Sequence, residues 1–156
     1  MKFTLLLINK SKENYIDKGF KEYESRLKHY TKLETIVLEL PKKLKFPSQE
    51  LQKIEEGKLL MNQLDVNDFL VLLDNRGSSI TSESFAKEIQ KWQNRGLSSV
   101  YFVIGGPFGF SDEVYKRANY QLSLSKMTLT HQMVRLFFLE QLYRAHTIIK
   151  GEKYHH

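Results

Sequence analysis

The stretch Val100-Tyr101-Phe102-Val103-Ile104-Gly105-Gly106-Pro107-Phe108-Gly109 joins an unbroken apolar run, rich in β-branched and aromatic residues, to a glycine-rich turn. A run that is apolar at every position, instead of every second one, suits a strand buried on both faces, as in a parallel sheet covered by helices on both sides. The glycines follow where such a strand leaves the sheet, at its carboxyl end. There a glycine permits either a tight strand-to-helix turn or close approach of a ligand to the backbone. Both readings stand at this point.

The same pattern recurs in both directions along the chain. Residues 2–8 and 69–73 are buried strands, and residues 33–40 form another, closed by Pro41. Residues 13–30 carry Ile16, Phe20, Tyr23, Leu27 and Tyr30 at alternating spacings of four and three, the signature of a helix with one apolar face. A further helix is expected over residues 49–64 from Leu51, Ile54, Met61 and Leu64, although Gly57 weakens it. Phe85, Ile89 and Trp92 predict a helix over 82–94 that Gly96 stops. Ser111 can cap a short helix reaching about Asn119, with Asp112 and Glu113 favourable in its first turn. Gln121 to Leu124 is a brief fifth strand, and residues 131–149 form the most apolar helix. Strands alternating with helices, without a repeat or linker, predict one α/β domain over residues 1–156: a parallel sheet with helices on both faces.

The net charge is +6, and residues 1–47 hold 11 Lys and Arg against 6 Asp and Glu. Lys42, Lys43 and Lys45 fall in one connection between Pro41 and Pro47, the best candidate for a mobile loop. Such a surplus suits a polyanionic partner or a merely solvated lysine-rich surface. The absence of cysteine excludes a disulfide scaffold or a thiolate metal site, and agrees with a reducing, cytoplasmic setting. The apolar start at residues 3–8 is too short for a signal peptide, and no run approaches the roughly 20 residues that span a bilayer.

Ligands of open parallel sheets sit beyond the strand carboxyl ends, which directs attention to Asp74-Asn75-Arg76-Gly77, to Gly105 through Gly109, and to Ser125-Lys126-Met127-Thr128-Leu129. The turn after the first strand, Asn9-Lys10-Ser11-Lys12, lacks the dinucleotide-binding G-x-G-x-x-G, and neither a P-loop nor a G-x-S-x-G elbow is present. None of His29, His131, His146, His155 and His156 joins a carboxylate in a familiar metal-ligand spacing.

The segment Leu122-Ser-Leu-Ser-Lys-Met-Thr-Leu-Thr-His-Gln-Met-Val-Arg-Leu136 closely resembles the signature of the RlmH family of SPOUT methyltransferases. Gly105-Gly106-x-x-Gly109, Glu140-Gln141-x-Tyr143-Arg144-Ala145 and the terminal Tyr154-His155 follow that family's order, so the resemblance covers essentially the whole chain. It implies a SPOUT fold with a C-terminal deep trefoil knot, a homodimer packed through the knotted region, and S-adenosyl-L-methionine as cofactor. The implied reaction is methylation of N3 of a pseudouridine in 23S rRNA of the assembled ribosome. By the same carry-over, Leu73, Gly105 and the run Leu124, Ser125, Lys126, Met127, Thr128 and Leu129 line the cofactor site.

Methyl transfer from a sulfonium needs alignment more than covalent chemistry, together with an acceptor or stabiliser for the charge on N3. His155 titrates in the right range to accept the proton, Arg144 or Arg135 can stabilise an anion or hold phosphate, and Tyr154 can stack on a base. His131 is expected to start the last helix beside the cofactor, and His29 and His146 to be structural or surface residues. Gly151 can end that helix and let the polar tail fold back toward the pocket or toward a partner subunit. Consecutive Phe137, Phe138 and Leu139, extended by Val134, Leu142 and Ile149, give the helix apolar residues on more than one face, as a dimer would need.

Three positions depart from the family pattern. Asn9 stands where relatives often have Gly, Thr130 where a Pro is common, and Phe108 adds apolar bulk between the glycines. The competing readings are a SPOUT methyltransferase acting on tRNA and a basic RNA-binding module without catalysis. The lack of an appended RNA-binding domain favours a substrate, such as a ribosome, that supplies its own recognition surface.

Overall fold

The computed structural model describes residues 1–41 and 45–155; the basic connection expected to be mobile falls partly, and His156 wholly, outside the described residues. Five strands, β1 (Lys2–Ile8), β2 (Lys32–Leu38), β3 (Phe69–Ser79), β4 (Ser99–Ile104) and β5 (Tyr120–Ser123), form one sheet in the order β2-β1-β4-β3-β5. Every pairing is parallel. Helices α1 (Asn14–Leu27), α2 (Gln49–Met61), α3 (Ser82–Asn94), α4 (Asp112–Arg117) and α5 (His131–Ile149) connect and cover it, and a 3-10 turn spans Lys153–His155. Among the described residues no helix is long and apolar enough to cross a membrane.

The two faces follow from strand alternation. Phe3, Leu5, Leu7, Val71 and Phe102 pack under α1, α3 and α5 through Leu27, Phe85, Trp92, Phe138 and Leu142. Leu6, Ile8, Leu70, Leu72 and Val103 pack under α2 and α4 through Leu60 and Val114. Both faces are therefore apolar over residues 5–8 of β1, 69–73 of β3 and 100–104 of β4, which is why those runs carry no charged residue. Phe102 and Phe138 stack at 4.7 Å between centroids, anchoring α5 over the sheet centre.

Local signals set most boundaries. Ser48, Thr81 and Thr130 cap α2, α3 and α5 by accepting the backbone N–H of Leu51, Ser84 and Met133. Thr130 thus does the work of an N-terminal start in place of proline. Gly96 and Gly151, both left-handed at φ +73 and +68, terminate α3 and α5. At Gly151 the N–H bonds to Ile148 O at 3.0 Å and that of Glu152 to Thr147 O at 2.9 Å, a Schellman closure.

Where expectation and structure differ, a local turn is the cause in α1 and tertiary contact the cause elsewhere. Helix α1 stops at Leu27, short of Tyr30, because the next residues fold into a turn with Tyr30 N–H on Leu27 O. Strand β3 runs six residues past the expected end: its register shifts after Leu73, and Ser78 and Ser79 then pair with Leu122 and Ser123. Gly77 makes this possible, since a Cβ there would lie 2.6 Å from the Gln121 backbone. Helix α4 ends at Arg117, and Asn119 is drawn onto β3, exchanging two hydrogen bonds with the Leu70 backbone. Ser111 stands at the α4 cap position without a capping bond; its Oγ packs where a Cβ on Gly57 would intrude to 2.6 Å. The glycine that weakens α2 thus lets α4 approach closely.

Helix α5 lies between α1 and α3. Contrary to the simple expectation of a free second apolar face, Leu142 is fully buried and Val134 and Ile149 pack against the core within the chain. Met133, Phe137 and Gln141 are among the residues of α5 that stay half-exposed, and at spacings of four they form one stripe.

His146 is buried against the rings of Phe3 and Tyr30, with Nε2 unpartnered, while His29 is exposed. Burial first, and then Lys150, pushes the His146 pKa from 6.5 down to about 4. The folded state therefore resists protonation that the unfolded chain accepts. Stability should be full above pH 6.5 and fall as pH drops toward about 4, by at most ~1.4 kcal/mol per pH unit from this group. Urea denaturation across that range should show the slope, and His146→Phe should flatten it.

Candidate active site

The register shift inside β3 after Leu73 and the loops after β4 and β5 converge at one edge of the sheet around a cavity of about 360 Å³. Leu73, Gly105, Leu124, Ser125, Met127, Thr128 and Leu129 all line it, together with Asp74, Gly106, Phe110, His131 and Val134. Lys126, expected among these, is exposed and does not contribute to the wall. The β4 loop is both a tight turn and a cavity wall: Gly109, at φ +81, donates to Gly106 O at 3.2 Å. A Cβ on Gly105 would come within 2.9 Å of the buried Phe110 ring, and one on Gly106 within 2.3 Å of the Glu56 carboxylate. The inner edge of the turn is accordingly bare backbone.

Residues 124–129 have few internal bonds. The Ser123 hydroxyl donates to Ser125 O at 3.0 Å, and the Met127 N–H donates to Ser125 Oγ at 2.9 Å. No backbone–backbone hydrogen bond outside the sheet engages this run among the described residues. Its remaining amides and carbonyls are available to a ligand with a hydrogen-bonding edge, such as a purine.

Sequence reasoning marked Asp74 by position but gave it no role. Its side chain is only 6% exposed, and its carboxylate accepts hydrogen bonds from the Arg76 backbone and the Tyr115 hydroxyl. The Arg76 guanidinium also donates to the Tyr115 hydroxyl and lies over that ring, 4.5 Å from the centroid. Burial, and then the bond to Asp74, raises the Tyr115 pKa. Buried Glu56 behind the glycine turn was likewise missed; burial raises its pKa, opposed by Gln52 and the Gly106 backbone. A carboxylate following a buried strand was a visible cue for Asp74. Nothing local marked Glu56.

The four residues expected to act on the substrate lie elsewhere. Arg135 is 2% exposed, and one of its terminal nitrogens lies 2.8 Å from Ile8 O, Asn9 O and His131 Nε2. It is built into the junction of β1 and α5 and is not presented to solvent as a phosphate or anion ligand would be. Asn9 is left-handed there, at φ +62, which explains how it stands where glycine is common: Asn tolerates that region better than most residues.

Arg144 and Tyr154 do come together. Arg144 donates to Glu140 Oε1 at 2.5 and 3.0 Å and lies over the Tyr154 ring at 4.8 Å. Tyr154 also packs edge-on against Tyr143 and meets the Tyr23 hydroxyl at 3.2 Å and Glu140 at 3.3 Å. Burial, helped by Tyr23, raises its pKa. His155 Nε2 lies 2.7 Å from Glu83 Oε1 at the start of α3. The Glu83 carboxyl is held down to about 2, chiefly by its own backbone N–H and Thr81, with His155 third. Tyr30 adds a bond to Glu152 at 2.5 Å. The polar composition of the tail suggested little reason for burial, yet aromatic faces from α1 and α5 dock it. A second cavity, of about 350 Å³, includes Glu83 in its wall and shares Ser123 and Leu124 with the first. The tail thus ends beside the loop cluster, on the far side of β5's exit.

Residues 1–155 match the family described as "Predicted SPOUT methyltransferase". The chain belongs to the SPOUT methyltransferase family. Among its relatives, a protein of Christiangramia forsetii is 51% identical over 156 residues, covering 100% of this chain and 99% of the relative. One of Cytophaga hutchinsonii is 52% identical with 100% of both covered, and one of Desulfotalea psychrophila is 47% identical with 99% of both covered. Each of these relatives is named ribosomal RNA large subunit methyltransferase H. The parallel five-stranded sheet with its helices is consistent with the SPOUT fold.

The glycine cradle can be tested without a ligand. Gly105→Ala should destabilise the fold by about 1–3 kcal/mol through overpacking against Phe110. Adding Phe110→Leu should recover part of that loss in denaturant unfolding. An alanine variant as stable as the parent would mean that the turn shifts freely off the ring.

Proposed function

We propose that this protein is an S-adenosylmethionine-dependent methyltransferase of the large ribosomal subunit RNA, methylating N3 of a pseudouridine in 23S rRNA within assembled ribosomes in the cytoplasm. The observation that carries the reading is the convergence of the β3 register shift and the loops after β4 and β5 on one cavity, in a chain matched end to end by relatives of that name. The residues present suit the cofactor. Bare glycine backbone and the open amides of residues 124–129 can take an adenosine, with Leu73 and Leu129 as apolar walls. Asp74 sets a negative charge in the wall of a cavity meant for a cation.

When bound, S-adenosylmethionine supplies a methyl group on a positively charged sulfur, open to in-line displacement. The protein's part is to hold the reacting atoms in line at about 3–3.5 Å and to exclude water. The N3 proton must leave as the N–C bond forms. His155 is the proposed acceptor, its ring positioned by Glu83, with Arg144 stabilising the developing anion and Tyr154 stacking on the base. Within one chain these groups lie outside the cofactor cavity. A homodimer, packed through the half-exposed Met133, Phe137 and Gln141 stripe and the knotted C-terminal region, is the proposed means of completing the site.

S-adenosylhomocysteine at 100 times its Kd should stabilise the protein by about 2.7 kcal/mol, with NAD and ATP inert. No shift in melting temperature at millimolar ligand would remove the cofactor from the proposal. Deleting Tyr154 to His156 should leave that binding nearly unchanged while lowering methylation of ribosomes by about tenfold or more, since stacking alone contributes about 1–3 kcal/mol per base. Mass spectrometry of 23S rRNA from a deletion strain reads the product directly. An unmodified tRNA with intact 23S rRNA would move the substrate to tRNA.

A further inference from the structure

Arg135 and His131 form a pair for which the reaction as outlined has no use. We propose that Arg135 is a positioning residue that fixes His131 as the neutral Nδ1–H tautomer, so that the ring donates a hydrogen bond from Nδ1 to an acceptor atom of the bound cofactor. The proposal rests on the cofactor reading above for the identity of the ligand, and on geometry alone for the tautomer.

A guanidinium has only donors. With an Arg135 nitrogen 2.8 Å from His131 Nε2, that ring nitrogen must accept, and the ring's single proton must sit on Nδ1. The competing arrangement, Nε2–H donating to Ile8 O, is longer at 3.4 Å and would press an N–H against a cation. Arg135 cannot turn away to allow it. The same nitrogen meets Ile8 O and Asn9 O at 2.8 Å each, and the left-handed turn at Asn9 holds those two carbonyls around it. Its two N–H groups are shared among three acceptors in a site that is almost fully buried.

His131 is the first residue of α5, set by the Thr130 cap, and its ring lines the cofactor cavity. No protein group engages its Nδ1 among the described residues. A neutral donor suits this place, because a charged imidazolium would stand as a second cation beside a sulfonium. The surroundings keep it neutral: burial first, then Arg135, lowers the His131 pKa, opposed only by the Ile8 carbonyl. The other charged groups nearby are Asp17 on α1, which acts on Arg135, Lys10 after β1, and Asp74 across the cavity. Protonation of His131 is therefore deferred to a pH below its ordinary value, and cofactor affinity should be level above it.

The test has two arms. In protein labelled with ¹⁵N-histidine and free of ligand, long-range ¹H–¹⁵N correlation should show His131 with Nδ1 protonated and Nε2 bare from about pH 8 to about pH 6. An Nε2–H tautomer, or a cationic ring in that range, would overturn the pairing, and this needs no variant to fold. In calorimetry with S-adenosylhomocysteine, His131→Asn, whose amide N–H stands near the Nδ1 position, should bind within about threefold of wild type, whereas His131→Phe should lose about tenfold or more. Arg135→Met should raise the His131 titration midpoint and mix its tautomers. Equal binding by the Phe variant would overturn the donor role. A wild-type protein that binds no S-adenosylhomocysteine would overturn the cofactor reading and the ligand half of this proposal, while the tautomer measured in its absence still decides the pairing.

Discussion

Five parallel strands deliver all their carboxyl ends to one edge, and the rest of the molecule is arranged by that constraint. Each connection must cross back over a face of the sheet before the next strand begins, so helices cover both faces and every strand-end loop gathers on one side. The order β2-β1-β4-β3-β5 then places the exits of β4, β3 and β5 next to one another although their sequences lie far apart. The cavity is a consequence of that adjacency. Its glycines serve it by keeping Cβ atoms out of spaces already taken by Phe110 and Glu56.

The start of α5 is tied to the same edge by a buried cation. Arg135 brings the end of β1 and the first turn of α5 to one point, through bonds to the carbonyl oxygens of Ile8, the last paired residue of β1, and of Asn9 just beyond it. Charge-assisted hydrogen bonds of this kind are stronger than neutral ones, and in a dry junction each unpaired partner would be costly. Because α5 begins at the cavity and ends at the docked tail, its placement sets both the cavity wall and the Tyr154 cluster.

The tail illustrates why polar composition is a weak guide to disorder. Tyr154 is held by tyrosines of α1 and α5, and His155 by a carboxylate at the start of α3. Those partners use edge-to-face packing, cation–π contact and hydrogen bonds to charged groups, none of which leaves a periodic trace in the chain.

What the sequence by itself determined were the features encoded within a few residues. Continuous apolar runs marked β1, the first half of β3 and β4 because both faces of those segments are buried, and Gly96 and Gly151 marked the ends of α3 and α5, where both are left-handed. The resemblance carried by residues 122–136 added the family and seven of the eight residues expected at the cavity. Tertiary structure alone decided the continuation of β3 through polar residues 74–79, where Ser78 and Ser79 rejoin β5 after the register shift and no hydrophobic period marks the strand. It alone decided that Arg135 is buried, that Asp74 joins Tyr115, and that Glu56 backs the glycine turn. Each of these depends on a partner dozens of residues away, and a local pattern holds no information about a neighbour that only the folded chain supplies.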